Sequence, residues 1–241
     1  MNTRTSERVK QTVFPARLTL LFAAIIGLSA CNSTNNNSGA SSDRGTSFPP
    51  ADYIRANNGM DNVGTIDFID QDGATMSSFN SGANEGVVVD AAGHLYQAAD
   101  ITDSSLRVAC NIGQRMENGA FNNQKDREIN GANTGLLNPK GIAIAHQAGL
   151  LLVANFNASQ ITVFGTTAAG DVAPFAETAL AVSPWDLDYD QANDRLFVAL
   201  TDGTIAVYDD YVATGLSAVA ANRTITPADS EGNKISVNML F

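Results

Sequence analysis

The chain has 241 residues, 44% apolar and 16% charged, with 25 acidic against 14 basic side chains and a net charge of −11. That is a globular composition, long enough for one domain with a sizeable core. So acidic a surface argues against holding nucleic acid or an anionic membrane face by charge, and no nucleic-acid partner is expected.

Residues 1–30 read as a signal peptide, not as fold. Arg4, Arg8, Lys10 and Arg17 make a positive n-region, and Leu18 to Leu28 is an apolar run of eleven residues. That run is too short for a comfortable membrane-spanning helix. It ends in Leu28-Ser29-Ala30-Cys31, which resembles the lipobox of bacterial lipoproteins. The resemblance implies cleavage before Cys31, diacylglycerol on the Cys31 thiol and a further chain on the freed amine. Two or three acyl chains anchor stably where one is marginal. Asn32, next in the chain, resembles the residue found in lipoproteins passed on to the outer membrane. The implied partner is the membrane, through this lipid anchor. The implied location is the bacterial cell envelope, at the outer membrane, facing the periplasm or the cell surface. An ordinary secretory signal followed by a chance cysteine is the alternative. Without the first thirty residues, ten basic and 24 acidic side chains remain, a net charge of −14. Residues 31–51, rich in Asn, Ser, Gly and Thr, cannot bury enough apolar surface to fold and read as a flexible polar tether.

Residues 52–241 carry a repeat. Its fullest copy is Asn138 to Phe164. Pro139 and Gly141 punctuate its start. Ile142 to Ala145 is a short apolar run, His146 to Gly149 a turn, Leu150 to Ala154 a second run, and Ile161 to Phe164 a third. Runs of this length, broken by Gly, Pro and Asn, are strands rather than helix. Upstream the same triplet appears as Glu85 to Asp90, Gly93 to Ala98 and Leu106 to Val108. Downstream it appears as Pro184 to Tyr189, Arg195 to Ala199 and Ile205 to Tyr208. A partial copy, Tyr53 to Asn57 and Thr65 to Phe68, opens the domain. The alanine closing the second strand recurs at Ala56, Ala98, Ala154 and Ala199, at intervals of 42, 56 and 45 residues. Three or four strands at that period predict an all-β propeller of four-stranded antiparallel blades. The P-x-G-I-A, G-L-L-L-V-A-N and I-T-V-F segments resemble NHL-type or related six-bladed propeller repeats. By the same resemblance, Arg127 to Ile129 and Asn222 to Ile225 are strands leading into the next blade.

The copies add up to about four blades. Either Ile235 to Phe241 completes the opening partial blade in a four-bladed ring, or the chain is an incomplete six-bladed ring from a truncated gene. The expectation adopted is truncation.

Few residues carry chemistry. With Cys31 committed to lipid, Cys110 has no partner in the chain and reads as a buried, inert thiol. His94 and His146 fall at the turn between first and second strands, on one rim, with too few further ligands for a zinc site. Asp186, Asp188, Asp190 and Asp194 alternate along a strand and either cap its ends in water or contribute to a site. Asp186 stands where the fullest copy has Gly141. Glu85 and Lys140 are counterparts just before that position. Glu85 and Asp186 at inner-strand starts are therefore the candidates for a central ligand site. Ca²⁺ is the one cofactor they suggest, by analogy with lactonases of six-bladed architecture; otherwise no cofactor is expected. Trp185 either lines the mouth or packs between blades. No GxSxG, P-loop or GxGxxG pattern occurs, and no catalytic residue is assigned. The expected function is a non-catalytic binding or scaffold propeller with a protein or small-molecule ligand. A metal-dependent, lactonase-like hydrolase is the alternative, disfavoured because Lys140 opposes a cation.

Overall fold

The computed structural model describes Cys31, the backbone of residues 53–57, and residues 64–83, 85–99, 104–112, 115, 119–216 and 220–235. Residues 1–30, read as a signal peptide, 32–51 of the segment read as a tether, and all of the expected closing run Ile235–Phe241 but Ile235 lie outside these.

The described residues form sixteen strands in four sheets of four. Blade 1 comprises β1 (Tyr53–Asn57), β2 (Thr65–Ile69), β3 (Thr75–Asn80) and β7 (Gly119–Ala120). Blade 2 comprises β4 (Val87–Val89), β5 (Leu95–Ala99), β6 (Ser105–Ala109) and β8 (Arg127–Ile129). Blade 3 is β9 (Pro139–Ala145), β10 (Leu150–Asn155), β11 (Gln160–Gly165) and β12 (Ala176–Ala179). Blade 4 is β13 (Pro184–Asp190), β14 (Arg195–Leu200), β15 (Ile205–Asp209) and β16 (Arg223–Ile225). The expected propeller blades are present, and the sheets are not closed into a ring.

Blade 3 shows why the apolar runs make this architecture. Every residue of β9 and β10 is buried. Side chains alternate across a strand, so Ile142, Ile144, Leu151 and Val153 pack against Tyr96, Leu106 and Val108 of blade 2. Ala143, Ala145, Leu150 and Leu152 pack against Leu187, Leu196 and Val198 of blade 4. A strand covered on both faces has no use for a polar face, so its sequence is continuous rather than alternating. Each fully buried Leu, Ile or Phe contributes roughly 1.5–3 kcal/mol. In β13 the alternation returns: Leu187 faces blade 3, while Asp188 is exposed.

Polar clasps tie each blade to the next. Arg107 Nη1 donates to Ser81 O at 3.1 Å, joining blade 2 to the segment that follows β3 of blade 1. Arg127 Nη1 and Nη2 donate to Ala168 O and Thr166 O, both at 2.6 Å, joining blade 2 to blade 3. Burial lowers the Arg127 pKa, chiefly by desolvation. Thr178 Oγ1 donates to Leu216 O at 3.0 Å and lies 3.1 Å from the Tyr211 hydroxyl, joining blade 3 to blade 4.

Blade 1 departs from expectation. By register Ala56 faces Ile66, as Ala98 faces Leu106, Ala154 faces Ile161 and Ala199 faces Ile205. So β1 occupies the second-strand position of a blade, as its sequence indicated. Among the described residues no strand pairs with β1 on the axis side. The fourth strand lies at the opposite edge instead: β7 comes from the chain between β6 and β8 and pairs in parallel with β3. Blade 1 is therefore not wholly antiparallel. A two-residue strand donated from a neighbouring blade's loop leaves no periodic signal, so the repeat pattern cannot show it.

Candidate functional site at the inner-strand mouth

The innermost strands β4, β9 and β13 begin at the same end of their blades. Register aligns Gly86, Gly141 and Asp186, because Ala98 N donates to Gly86 O at 3.0 Å and Ala199 faces Asp186 as Ala154 follows Val153, which faces Ile142. The residues just before them are then Glu85, Lys140 and Trp185, one per blade.

Close approach of the strands makes those three side chains neighbours. Gly86 N donates to Lys140 O at 2.9 Å. A Cβ on Gly86 would lie 2.7 Å from that oxygen, and one on Gly141 would lie 2.6 Å from Asp186 Cα. Glycine is required wherever the next inner strand comes this close. Blade 4 carries Asp186 at the same position, and no further inner strand flanks it among the described residues.

The resulting row runs carboxylate, ammonium, indole. Lys140 Nζ lies 2.6 Å from Glu85 Oε1, and both side chains are largely shielded, at 10% and 17% exposure. The same Nζ lies 5.7 Å from the centre of the Trp185 ring, a cation–π distance. Phe156, just after β10, meets Trp185 edge to face, with ring centroids 5.4 Å apart. Both aromatics are half-buried, and Leu137, whose carbonyl accepts from Asn157 N at 3.0 Å, is exposed. Trp185 thus packs across the blade boundary and also presents surface to solvent. Glu85 and Asp186 stand at the starts of the inner strands of blades 2 and 4. Phe156 was missed: it lies in a hairpin turn of blade 3, and only the docking of blade 4 places it beside Trp185.

The other acidic residues of β13 and of the turn after it do not converge with Asp186. Asp188 is exposed on the strand. Asp190 lies at the far end and closes a turn, accepting from Ala192 N at 3.0 Å and from Asn193 Nδ2 at 2.6 Å. These hydrogen bonds, the Asn193 amide first, hold its pKa low. Asp194 accepts from Tyr189 Oη at 2.9 Å and from Val212 N and Ala213 N, each at 2.8 Å. Burial, then this Asp194 bond, push the Tyr189 pKa up.

The two histidines lie at that far end as well. His146 is exposed in a short 3-10 turn between β9 and β10. His94 precedes β5, and its Nδ1 accepts from Asn111 N at 3.1 Å. Cys110 is not the solitary thiol expected: it forms a disulfide with Cys31, with Cα atoms 5.3 Å apart. Cys31 also packs against the apolar face that blade 2 turns to blade 3. One ligand atom each of Cys31, Cys110 and His94 falls within 4.8 Å of the others. Sequence spacing hid the pairing, because 79 residues separate the cysteines. A sulfur in this disulfide cannot also carry a diacylglyceryl thioether, so the two states of Cys31 exclude one another.

No known family matches this chain, and no curated protein matches it. Solved structures are similar to it. They include Myxococcus xanthus glutaminyl cyclase (13% identity, 63% of this chain and 53% of that one, TM-score 0.43). They also include a chain of a nidogen/laminin complex (14% identity, 73% and 59%, TM-score 0.49). A third is Kuenenia stuttgartiensis hydrazine synthase (16% identity, 60% and 36%, TM-score 0.43). The chain matches between 36% and 59% of the length of these proteins.

Proposed function

We propose that this chain is a non-catalytic binding propeller whose ligand sits at the inner-strand mouth formed by Glu85, Lys140, Trp185 and Phe156. The observation that carries this reading is the position of the Lys140 ammonium, between the Glu85 carboxylate and the Trp185 ring. A half-exposed indole beside a paired charge suits a ligand with one flat apolar face and a polar rim. The same ammonium argues against Ca²⁺, since it supplies positive charge where a cation would need converging oxygens. The donor set therefore does not fit that ion, and no hydrolytic step is assigned to it. In this reading the protein works at the cell envelope, held there by lipid on Cys31 in those copies whose Cys31 is not bonded to Cys110.

Trp185 is the only tryptophan, so its fluorescence reports the mouth directly. Screening soluble sugars and aromatic acids against the full chain should find a ligand that shifts this emission, with the shift lost in Lys140→Met. A tight stoichiometric response to Ca²⁺ that disappears in Asp186→Ala would replace binding by the metal-dependent reading. Fatty-acid labelling tests the anchor: label should enter the wild-type chain and not Cys31→Ala.

A further inference from the structure

We infer that Cys31, Cys110 and His94 form a thiol–disulfide exchange site at the far end of blade 2, whose substrate is a dithiol. Three observations converge. The two sulfurs are bonded, and a ring nitrogen of His94 lies within 4.8 Å. Cys31 is half-buried while Cys110 is only 6% exposed, so the sulfur open to attack is that of Cys31. His94 Nδ1 accepts from the Asn111 backbone, which places the proton of the neutral ring on Nε2. A metal on Nε2 would require the opposite tautomer, so the cluster fits sulfur chemistry better than metal binding.

The step balances. A thiolate of the dithiol attacks Cys31 Sγ, the Cys31–Cys110 bond breaks, and Cys110 leaves as a thiolate beside the His94 ring. The second thiol of the reagent then attacks its own bonded sulfur and releases the Cys31 thiolate. Two electrons pass to the protein, both thiolates take protons from solvent, and the dithiol ends as a disulfide. Acylation needs a free Cys31 thiol. Wherever this disulfide has formed, its reduction is the class of reaction that must precede lipid attachment. The exchange site does not depend on the ligand site, and it exists only in chains not acylated at Cys31.

The test uses the full chain, purified without reductant, with thiols counted by mass after acid quenching, denaturation and alkylation. The expected result is a Cys31–Cys110 disulfide that millimolar dithiothreitol opens while Trp185 emission stays native. Opening should be about fivefold slower in His94→Ala, from loss of the polar ring beside the leaving thiolate, and restored in His94→Gln, which keeps a polar group there. Absence of the disulfide, Cys31 found wholly acylated, opening only on unfolding, or equal rates in wild type and His94→Ala would each overturn the inference.

Discussion

Lys140 is the residue on which the mouth turns. Its charge faces Glu85 across a blade boundary with little solvent between them. Removing one member of such a shielded pair leaves the other charge poorly compensated. Lys140→Met should therefore cost about 2 kcal/mol in urea unfolding, and the double variant Lys140→Met/Glu85→Gln should recover part of it. A double variant that costs the sum of the two single variants would mean that the pair is not coupled. The tyrosines set the alkaline limit. Tyr211 is pushed up to about 12, mainly by burial, and burial raises Tyr208 and Tyr96 as well. A raised tyrosine pKa favours the neutral, folded form, so stability is full below pH 10 and falls as pH rises toward 12. Tyrosinate absorbance should appear together with loss of native Trp185 emission. Smooth titration at pH 10 in a folded protein would contradict this.

At the scale of elements, the inner strands and the clasps make separate predictions. A Cβ at Gly141 would strike the backbone of Asp186, and neither strand can move without opening the blade boundary. Gly141→Ala should destabilise by about 2 kcal/mol. Gly165→Ala is the control: nothing lies within 4 Å of that position, and the change should be neutral or slightly stabilising. Arg127→Met removes two charge-assisted bonds to the carbonyls of residues 166 and 168. It should cost about 3 kcal/mol and raise hydrogen exchange around residues 166–172. Unchanged exchange there would show that the clasp does not hold that segment.

For the whole molecule, an open array of blades distributes stability unevenly, because each blade is held only by its neighbours. Blade 3 has a blade on each side, and its inner strands are wholly buried. Blade 4 has a described neighbour on one side only, and β16 is exposed along its length. Native-state hydrogen exchange should be slowest across residues 139–165, with β2, β3 and β16 opening at lower free energy. Uniform protection across all four sheets would indicate a closed, fully cooperative ring.

The strand triplets, the all-β class and the equivalence of Ala98, Ala154 and Ala199 were legible in the sequence. A strand covered on both faces demands apolar residues at every position, and its turns demand Gly, Pro and Asn. The placement of Glu85 and Asp186 at inner-strand starts was legible too, because register follows once the repeat is aligned. Contacts between blades were not. The Cys31–Cys110 bond spans 79 residues, and Phe156 reaches Trp185 from a turn that carries no pattern. The donation of β7 to blade 1 likewise involves two residues with no periodicity. Periodicity reports what a segment does with its own two faces. Which side chains meet across a boundary depends on how whole sheets dock, and only the tertiary structure decided that Glu85, Lys140 and Trp185 form one row.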